Sequence, residues 1–180
     1  MNHNDISNAM QIVLDGLSLD RKSIWLNRLR VRLLERMFPG DYAAIDNALK
    51  EWVASGSKQY DVELSFSLAK VSFIREDYSK SEQLFKELYF KTYRHPHRLA
   101  PLEENRWMDG DAPREFLGIV ESVPKPGEWG SILCTSLPGY KRTIDVRYQD
   151  LAFSAAAGDK VRFGIIFNMK GPQASKVTKI

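Results

Sequence analysis

Apolar positions recur every three or four residues over the first 93 residues of this chain. Over the last 65 or so they alternate or run in short β-branched stretches. The first pattern predicts helices over Asp5–Leu17, Ile24–Phe38, Asp41–Val53, Val62–Ile74 and Asp77–Tyr89. Ile45, Ala48, Leu49 and Trp52 share one face, as do Leu64, Leu68 and Val71, while Leu26, Leu29, Leu33 and Met37 form an apolar face on the helix before them. Asp41 and Asp77 stand where an N-cap carboxylate would accept from the free amides of the following turn. The second pattern predicts strands at Phe116–Val123, Ser131–Thr135, Thr143–Tyr148, Val161–Phe167 and Lys176–Ile180. They are divided by the turn signals Pro124–Gly127, Leu137–Gly139, Ala157–Asp159 and Lys170–Pro172. Between the two regimes, residues 94–113 carry three prolines and no period and read as a linker. The expected division is therefore a helical domain over 1–93, a linker over 94–113 and a β domain over 114–180.

The helical half repeats itself. Asp41-Tyr42 answers Asp77-Tyr78, Asp46-Asn47 answers Glu82-Gln83, and Lys50-Glu51 answers Lys86-Glu87, a period of 36 residues. Each copy follows an apolar-periodic segment, so the unit is a helical hairpin, and a period in the thirties points to stacked repeats. The second copy resembles a tetratricopeptide repeat: Ala69 and Ser81 fall at that motif's small positions, with Leu68 and Phe85 at neighbouring large ones. It departs where Leu88 replaces a small residue and in its period of 36 rather than 34. The resemblance implies binding of a protein partner, or self-association, through the helical half. The alternative is that these helices pack only on one another or on the C-terminal domain.

Five short strands in under 70 residues suit a small closed barrel, an architecture that includes the oligonucleotide-binding fold. Residues 158–177, running from Gly158 through Lys170-Gly171-Pro172-Gln173-Ala174 to Val177, resemble the fourth strand, turn and fifth strand of a bacterial cold-shock domain. Gly118–Val120 matches the start of that family's first strand. Glu128–Ile132 and Ile144–Leu151 match its two nucleic-acid-contact motifs. The expected fold class is thus α+β and multidomain: an all-α, tetratricopeptide-like domain followed by a five-stranded barrel of the oligonucleotide-binding type.

The resemblance implies single-stranded nucleic acid as ligand, bound by stacking bases on exposed aromatics in a basic setting, since every base offers a π-face. Trp129 takes an aromatic position of the first contact motif. Tyr148 takes the aromatic after the second motif's histidine, and Arg147 replaces that histidine. A guanidinium can both stack and meet phosphate. Lys125, Lys141, Arg142 and Lys160 are the neighbouring candidate phosphate contacts. Three positions depart from the family: Ser122 and Ser131 stand where aromatics are usual, and Asp145, which would repel phosphate, replaces a phenylalanine. Either the thinned face still binds RNA or DNA, or the barrel is a scaffold whose face meets protein; Trp129 would then be a packing residue at the rim.

Charge placement fits nucleic-acid contact in the β half. The 180 residues carry a net +3, but residues 1–113 hold 16 Lys/Arg against 17 Asp/Glu, and residues 114–180 hold 10 against 6. Arg28, Arg32 and Arg36, four residues apart, form a basic helix stripe that is either a second phosphate-contacting surface or a solvated face. A hydrophobic content of 43% with 27% charged residues excludes wholesale disorder. No apolar run approaches the ~18 residues of a membrane helix, and no signal segment opens the chain, so a soluble cytoplasmic protein without membrane contact is expected. The lone Cys134 excludes an internal disulfide and fits a buried thiol. His3, His95 and His97, with Glu103 and Glu104 near the last two only in sequence, do not make a metal site. No phosphate-cradling loop, nucleophile elbow or zinc-protease motif occurs, and neither enzyme activity nor a cofactor is expected. The function read from sequence is non-catalytic binding of single-stranded nucleic acid, RNA favoured over DNA, with the helical half contacting protein. The alternative is an adaptor subunit of a multi-protein complex, such as a mobile-element or phage-defence system.

Overall fold

A computed structural model describes residues 3–56, 62–92 and 105–180. Five helices come first: α1 (His3–Leu19), α2 (Ile24–Met37), α3 (Tyr42–Ala54), α4 (Val62–Ile74) and α5 (Tyr78–Thr92). A two-stranded hairpin follows, β1 (Met108–Asp109) with β2 (Ala112–Pro113), and then five barrel strands. These are β3 (Glu115–Ser122), β4 (Trp129–Cys134), β5 (Thr143–Arg147), β6 (Lys160–Asn168) and β7 (Gly171–Lys179). The caps stand where the sequence puts them: the Ala44 amide donates to Asp41 Oδ1 at 3.0 Å and the Lys80 amide to Asp77 Oδ1 at 3.2 Å.

Each helix packs on its neighbour in sequence. One apolar cluster joins α1 to α2 through Ile6, Val13, Leu17 and Leu33. A second joins α2, α3 and α4 through Val31, Ile45, Leu49, Trp52 and Val71, with Leu64 and Leu68 packed against it. Helix α4 is apolar on both sides. Phe66, Ala69 and Phe73 point away from that second cluster into a third, which contains α5 and the whole barrel interior. Ser81 Oγ donates to the Ala69 carbonyl at 2.8 Å, so the small pair of the helical repeat lets α4 and α5 approach closely. Stacked repeats need their last apolar face covered, and here the barrel covers it.

The barrel closes in the order β3-β4-β5-β7-β6, with β6 returning to β3. All neighbours are antiparallel except β5 and β7, which pair in parallel through Asp145–Gln173 and Val146–Ala174. This is the strand order of the oligonucleotide-binding fold. Inward side chains alternate along each strand, as period 2 requires: Phe116 and Val120, Ile132 and Cys134, Ile144 and Val146, Val161, Phe163 and Ile165 are all buried. The last strand begins five residues earlier than its sequence suggests, because Gly171–Ala174 already pair with Ile165–Asn168 of β6, and farther along Lys176 forms a bulge. Arg162 pairs with Thr178 and Gly164 with Ser175, leaving one extra residue on β7, and Lys176 takes φ +52° to absorb it.

Within the span expected as a linker, residues 94–104, with His95, His97, Glu103 and Glu104, lie outside the described residues. Residues 105–113 are bound to the barrel instead of crossing open space. The Trp107 amide donates to the Ile165 carbonyl at 2.8 Å, and the Arg114 amide donates to the Trp107 carbonyl at 2.9 Å. The Trp107 indole is buried between Phe73 and Phe116, at ring centroid distances of 6.0 and 4.9 Å. The hairpin also touches the helical array: the Met108 amide donates to Tyr42 Oη at 2.7 Å. Gly40 in the α2–α3 turn lies so close that a Cβ there would sit 2.7 Å from the Gly110 amide nitrogen, and its φ of +89° also favours glycine.

Phe73 is the hinge of this packing. Its ring lies edge-on to Tyr78 at 5.1 Å, Tyr140 at 5.1 Å, Phe167 at 5.6 Å and Trp107 at 6.0 Å, drawing together α5, the β4–β5 loop, β6 and the hairpin. Phe73→Ala is expected to cost ~3–5 kcal/mol. It should lower the thermal transition of the helices (far-ultraviolet dichroism) and that of the barrel (amide resonances of β3–β7) together. Separate transitions, with only the helical one shifted, would show that the shared core does not couple the two parts.

Candidate nucleic-acid interface

The outward positions of β3, β4 and β5 make one continuous face. Register places Ile119 opposite Leu133, Leu133 opposite Thr143, Ser131 opposite Asp145, and Trp129 opposite Arg147. Paired residues point to the same side of a sheet, so Trp129 and Arg147 stand side by side. Trp129 is 45% exposed, and Tyr148, in the short 3-10 turn that follows β5, is 52% exposed. The neighbouring Gly130 is required by a close approach. A Cβ there would meet the Ser122 carbonyl oxygen at 2.4 Å and Pro124 Cδ at 2.5 Å, so the β3–β4 loop presses on β4 just beside the tryptophan.

Arg147 is held from behind. Its Nε donates to Asp150 Oδ2 at 2.8 Å, the same oxygen accepts from Gln173 Nε2 at 3.2 Å, and Gln173 Oε1 accepts from Asn168 Nδ2 at 2.9 Å. Gln173 is fully buried. The glutamine of the Lys-Gly-Pro-Gln-Ala turn therefore anchors the carboxylate that orients the candidate stacking arginine.

Ser122 and Ser131, on neighbouring strands, form a pair on this face. Between Val120 and Ser122 the register with β4 slips by a residue, which brings Ser122 opposite Ser131, and their hydroxyls hydrogen-bond at 2.9 Å. Next to this pair, Asp145 is a carboxylate in a partly desolvated place. Burial raises its pKa, and the Lys170 ammonium opposes that rise.

Lys170 carries more of the site than its place in a turn suggests. Its Nζ lies 5.9 Å from the Trp129 ring centroid and 5.5 Å from that of Tyr89 on α5. Sequence reasoning missed Lys170, Tyr89 and Lys86. The lysine of the turn could have been weighed as a cation, but nothing in the sequence announces that α5 borders the barrel face.

The other expected contacts are dispersed around this centre. Lys125 is exposed in the β3–β4 loop, and Lys160 opens β6 opposite Ile119, at the far edge of the face from β5. Lys141 and Arg142 precede β5 and line a cleft of about 640 Å³ between α5 and the barrel, with Phe73, Tyr78 and Tyr140 along its inner wall. Burial pushes the Tyr140 phenol up to about 12, so it remains a neutral hydroxyl. Arg142 pairs with Glu82 of α5 at 2.6 Å. The basic stripe of α2 is not drawn into the site. Arg28 and Arg32 both pair with Glu63 of α4, at 3.0 and 2.8 Å, and neither they nor the exposed Arg36 line the cleft. Cys134 is buried on the inner side of β4. Among the described residues, no His, Cys, Asp and Glu gather in threes that could hold a metal ion, and no helix is long and apolar enough to cross a membrane.

No protein-family model and no curated protein matches the chain.

The raised pKa of Asp145 has a consequence for stability. Its folded value lies above the ordinary carboxyl value, so the folded state bears a cost when the group is ionised, and that cost vanishes as pH falls below the ordinary value. Asp145→Asn is therefore expected to stabilise the protein at pH 7, with the difference from the parent shrinking through the acid range. Urea denaturation at several pH values measures this. A variant less stable than its parent at pH 7 would mean that the Lys170 attraction outweighs the desolvation.

Proposed function

We propose that the chain is a non-catalytic binder of single-stranded nucleic acid, RNA in preference to DNA, using the outer face of β3, β4 and β5. The supporting observation is the pairing of a half-exposed tryptophan with an arginine across two neighbouring strands of an oligonucleotide-binding-type barrel. Trp129 offers a stacking platform and Arg147, oriented by Asp150, offers a guanidinium at stacking and phosphate-contact range. Tyr148 extends the platform beyond the end of β5. Lys125 and Lys170 supply positive charge at its margins, and Lys160 does so across β3. The cold-shock likeness of residues 114–180 belongs to this reading: the face is that of a cold-shock-type domain with the Ser122–Ser131 pair replacing two rings. In the same reading the tetratricopeptide-like helices contact a protein partner or a second copy.

A second reading rests on the middle of the face. Leu117 is exposed, Ile119 and Leu133 are half-buried, and these apolar side chains with Asp145 suit a protein surface better than a phosphate backbone. In that case the chain is an adaptor in a multi-protein complex.

Fluorescence anisotropy with labelled ten-nucleotide oligo-U and oligo-dT, titrated with salt, separates the two. Nucleic-acid binding predicts affinity that falls with salt, and a loss of roughly 5- to 150-fold in Trp129→Ala, the equivalent of ~1–3 kcal/mol for one stacked base. Asp145→Asn should tighten binding by removing a repulsive carboxylate. If neither oligomer binds at low salt, the adaptor reading takes its place.

A further inference from the structure

The cleft between α5 and the barrel adjoins the β3–β5 face, with Thr143 and Asp145 of β5 belonging to both. Four cations, Lys86, Lys141, Arg142 and Lys170, line it against two carboxylates, Glu82 and Asp145. Lys170 stands at the boundary, its ammonium between the Trp129 ring of the face and the Tyr89 ring of the cleft. A volume of about 640 Å³ lies within the ~300–1,000 Å³ of ordinary small-ligand sites. The Tyr78 hydroxyl, on the wall, is buried without a hydrogen-bond partner. Cationic, aromatic-walled and polar at its base, the cleft has the chemistry of a nucleotide site.

We propose that this cleft takes a further nucleotide of the strand bound on the barrel face, so that the helical half forms one wall of the nucleic-acid channel. The phosphate would meet Lys86 and Lys170, and the base would lie against Tyr89. The Glu82–Arg142 ion pair spans from α5 to the β4–β5 loop across the cleft. It neutralises one of the four cations while the cleft is empty and releases Arg142 to the backbone when the strand enters. This rests on the nucleic-acid reading of the face, and it adds Lys86, Tyr89 and the Glu82–Arg142 pair, which that reading does not use.

The test uses the full chain and fluorescein-labelled oligo-U of four and ten nucleotides across a salt series. Lys86→Ala is expected to weaken the ten-nucleotide complex about fivefold near 0.1 M salt and to flatten the salt slope by about 0.7, the loss of one single-strand phosphate contact. Tyr89→Ala should weaken it at least about fivefold. Glu82→Gln should tighten it by freeing Arg142. The four-nucleotide complex, seated on the face alone, should change in none of them. Lys86 and Glu82 are exposed, so unchanged melting verifies the fold of those two variants. If Lys86→Ala and Glu82→Gln leave both affinity and slope unchanged while Trp129→Ala weakens binding, the cleft is not part of the channel, although the face remains a binding site. If the parent binds no oligomer, both readings fail. If uridine monophosphate binds in a Lys86-dependent way while the ten-nucleotide affinity ignores Lys86, the cleft holds a free nucleotide and the channel is overturned.

Discussion

The architecture depends on one aromatic junction. Phe73, at the end of α4, packs against rings from α5, the hairpin, the β4–β5 loop and β6. Phe85 of α5 adds a stacked contact on Phe167, with ring planes 5° apart and centroids 6.3 Å apart. Edge-on and offset rings attract through complementary quadrupoles as well as through burial, so the junction has a preferred geometry. It joins a helical stack, which could in principle continue repeat by repeat, to a barrel with one closed interior. Because the rings belong to both, the third apolar cluster extends from Phe66 of α4 through the barrel to Val177. The helical part thus acquires a fixed orientation relative to β5, which allows α5 to wall a cleft.

That orientation changes how the barrel's surface is read. A cold-shock-type face alone would present Trp129, Arg147 and Tyr148 with a serine pair in place of two lost rings. Beside α5 the same face borders a cleft lined by Tyr89 and Lys86, with Lys170 near both the Tyr89 and Trp129 rings. In the proposed reading, Tyr89 of α5 adds a ring beside the Ser122–Ser131 pair. Buried polar groups support this exposed chemistry. Gln173 and Asp150 orient Arg147 through charge-assisted hydrogen bonds, which are stronger and more directional than neutral ones.

Much of the fold was legible in the sequence, for identifiable reasons. Periods of 3.6 and 2 report which side of an element is buried, and α2 through α5 and all five barrel strands lie where those periods place them, apart from the early start of β7. Asp41 and Asp77 cap as their positions suggest, because capping is a contact within one turn. In the 94–113 span, residues 105–113 lie against the barrel and carry a short hairpin. Prolines and the lack of a period mark a connection, but the burial of Trp107 comes from Phe73 and Phe116, which lie 34 residues before it and 9 after. The bulge at Lys176 was invisible for a similar reason, since it exists only relative to the register of β6.

Of the candidate site, the sequence by itself determined the residue types and their strands: the tryptophan before the glycine of β4, the arginine and tyrosine at the end of β5, and the positive excess of residues 114–180. Local periodicity and turn chemistry suffice for these, because they concern neighbours along one chain segment. Only the tertiary structure decided which of the cations act together. It paired Arg28 and Arg32 with Glu63, set Arg142 against Glu82, and brought Lys170 between two rings some 40 residues apart in sequence, at positions 89 and 129. The physical reason is that an ion pair or a cation over a ring depends on distances of a few ångströms. Here those distances are set by how helices and barrel share a core, which no local pattern records.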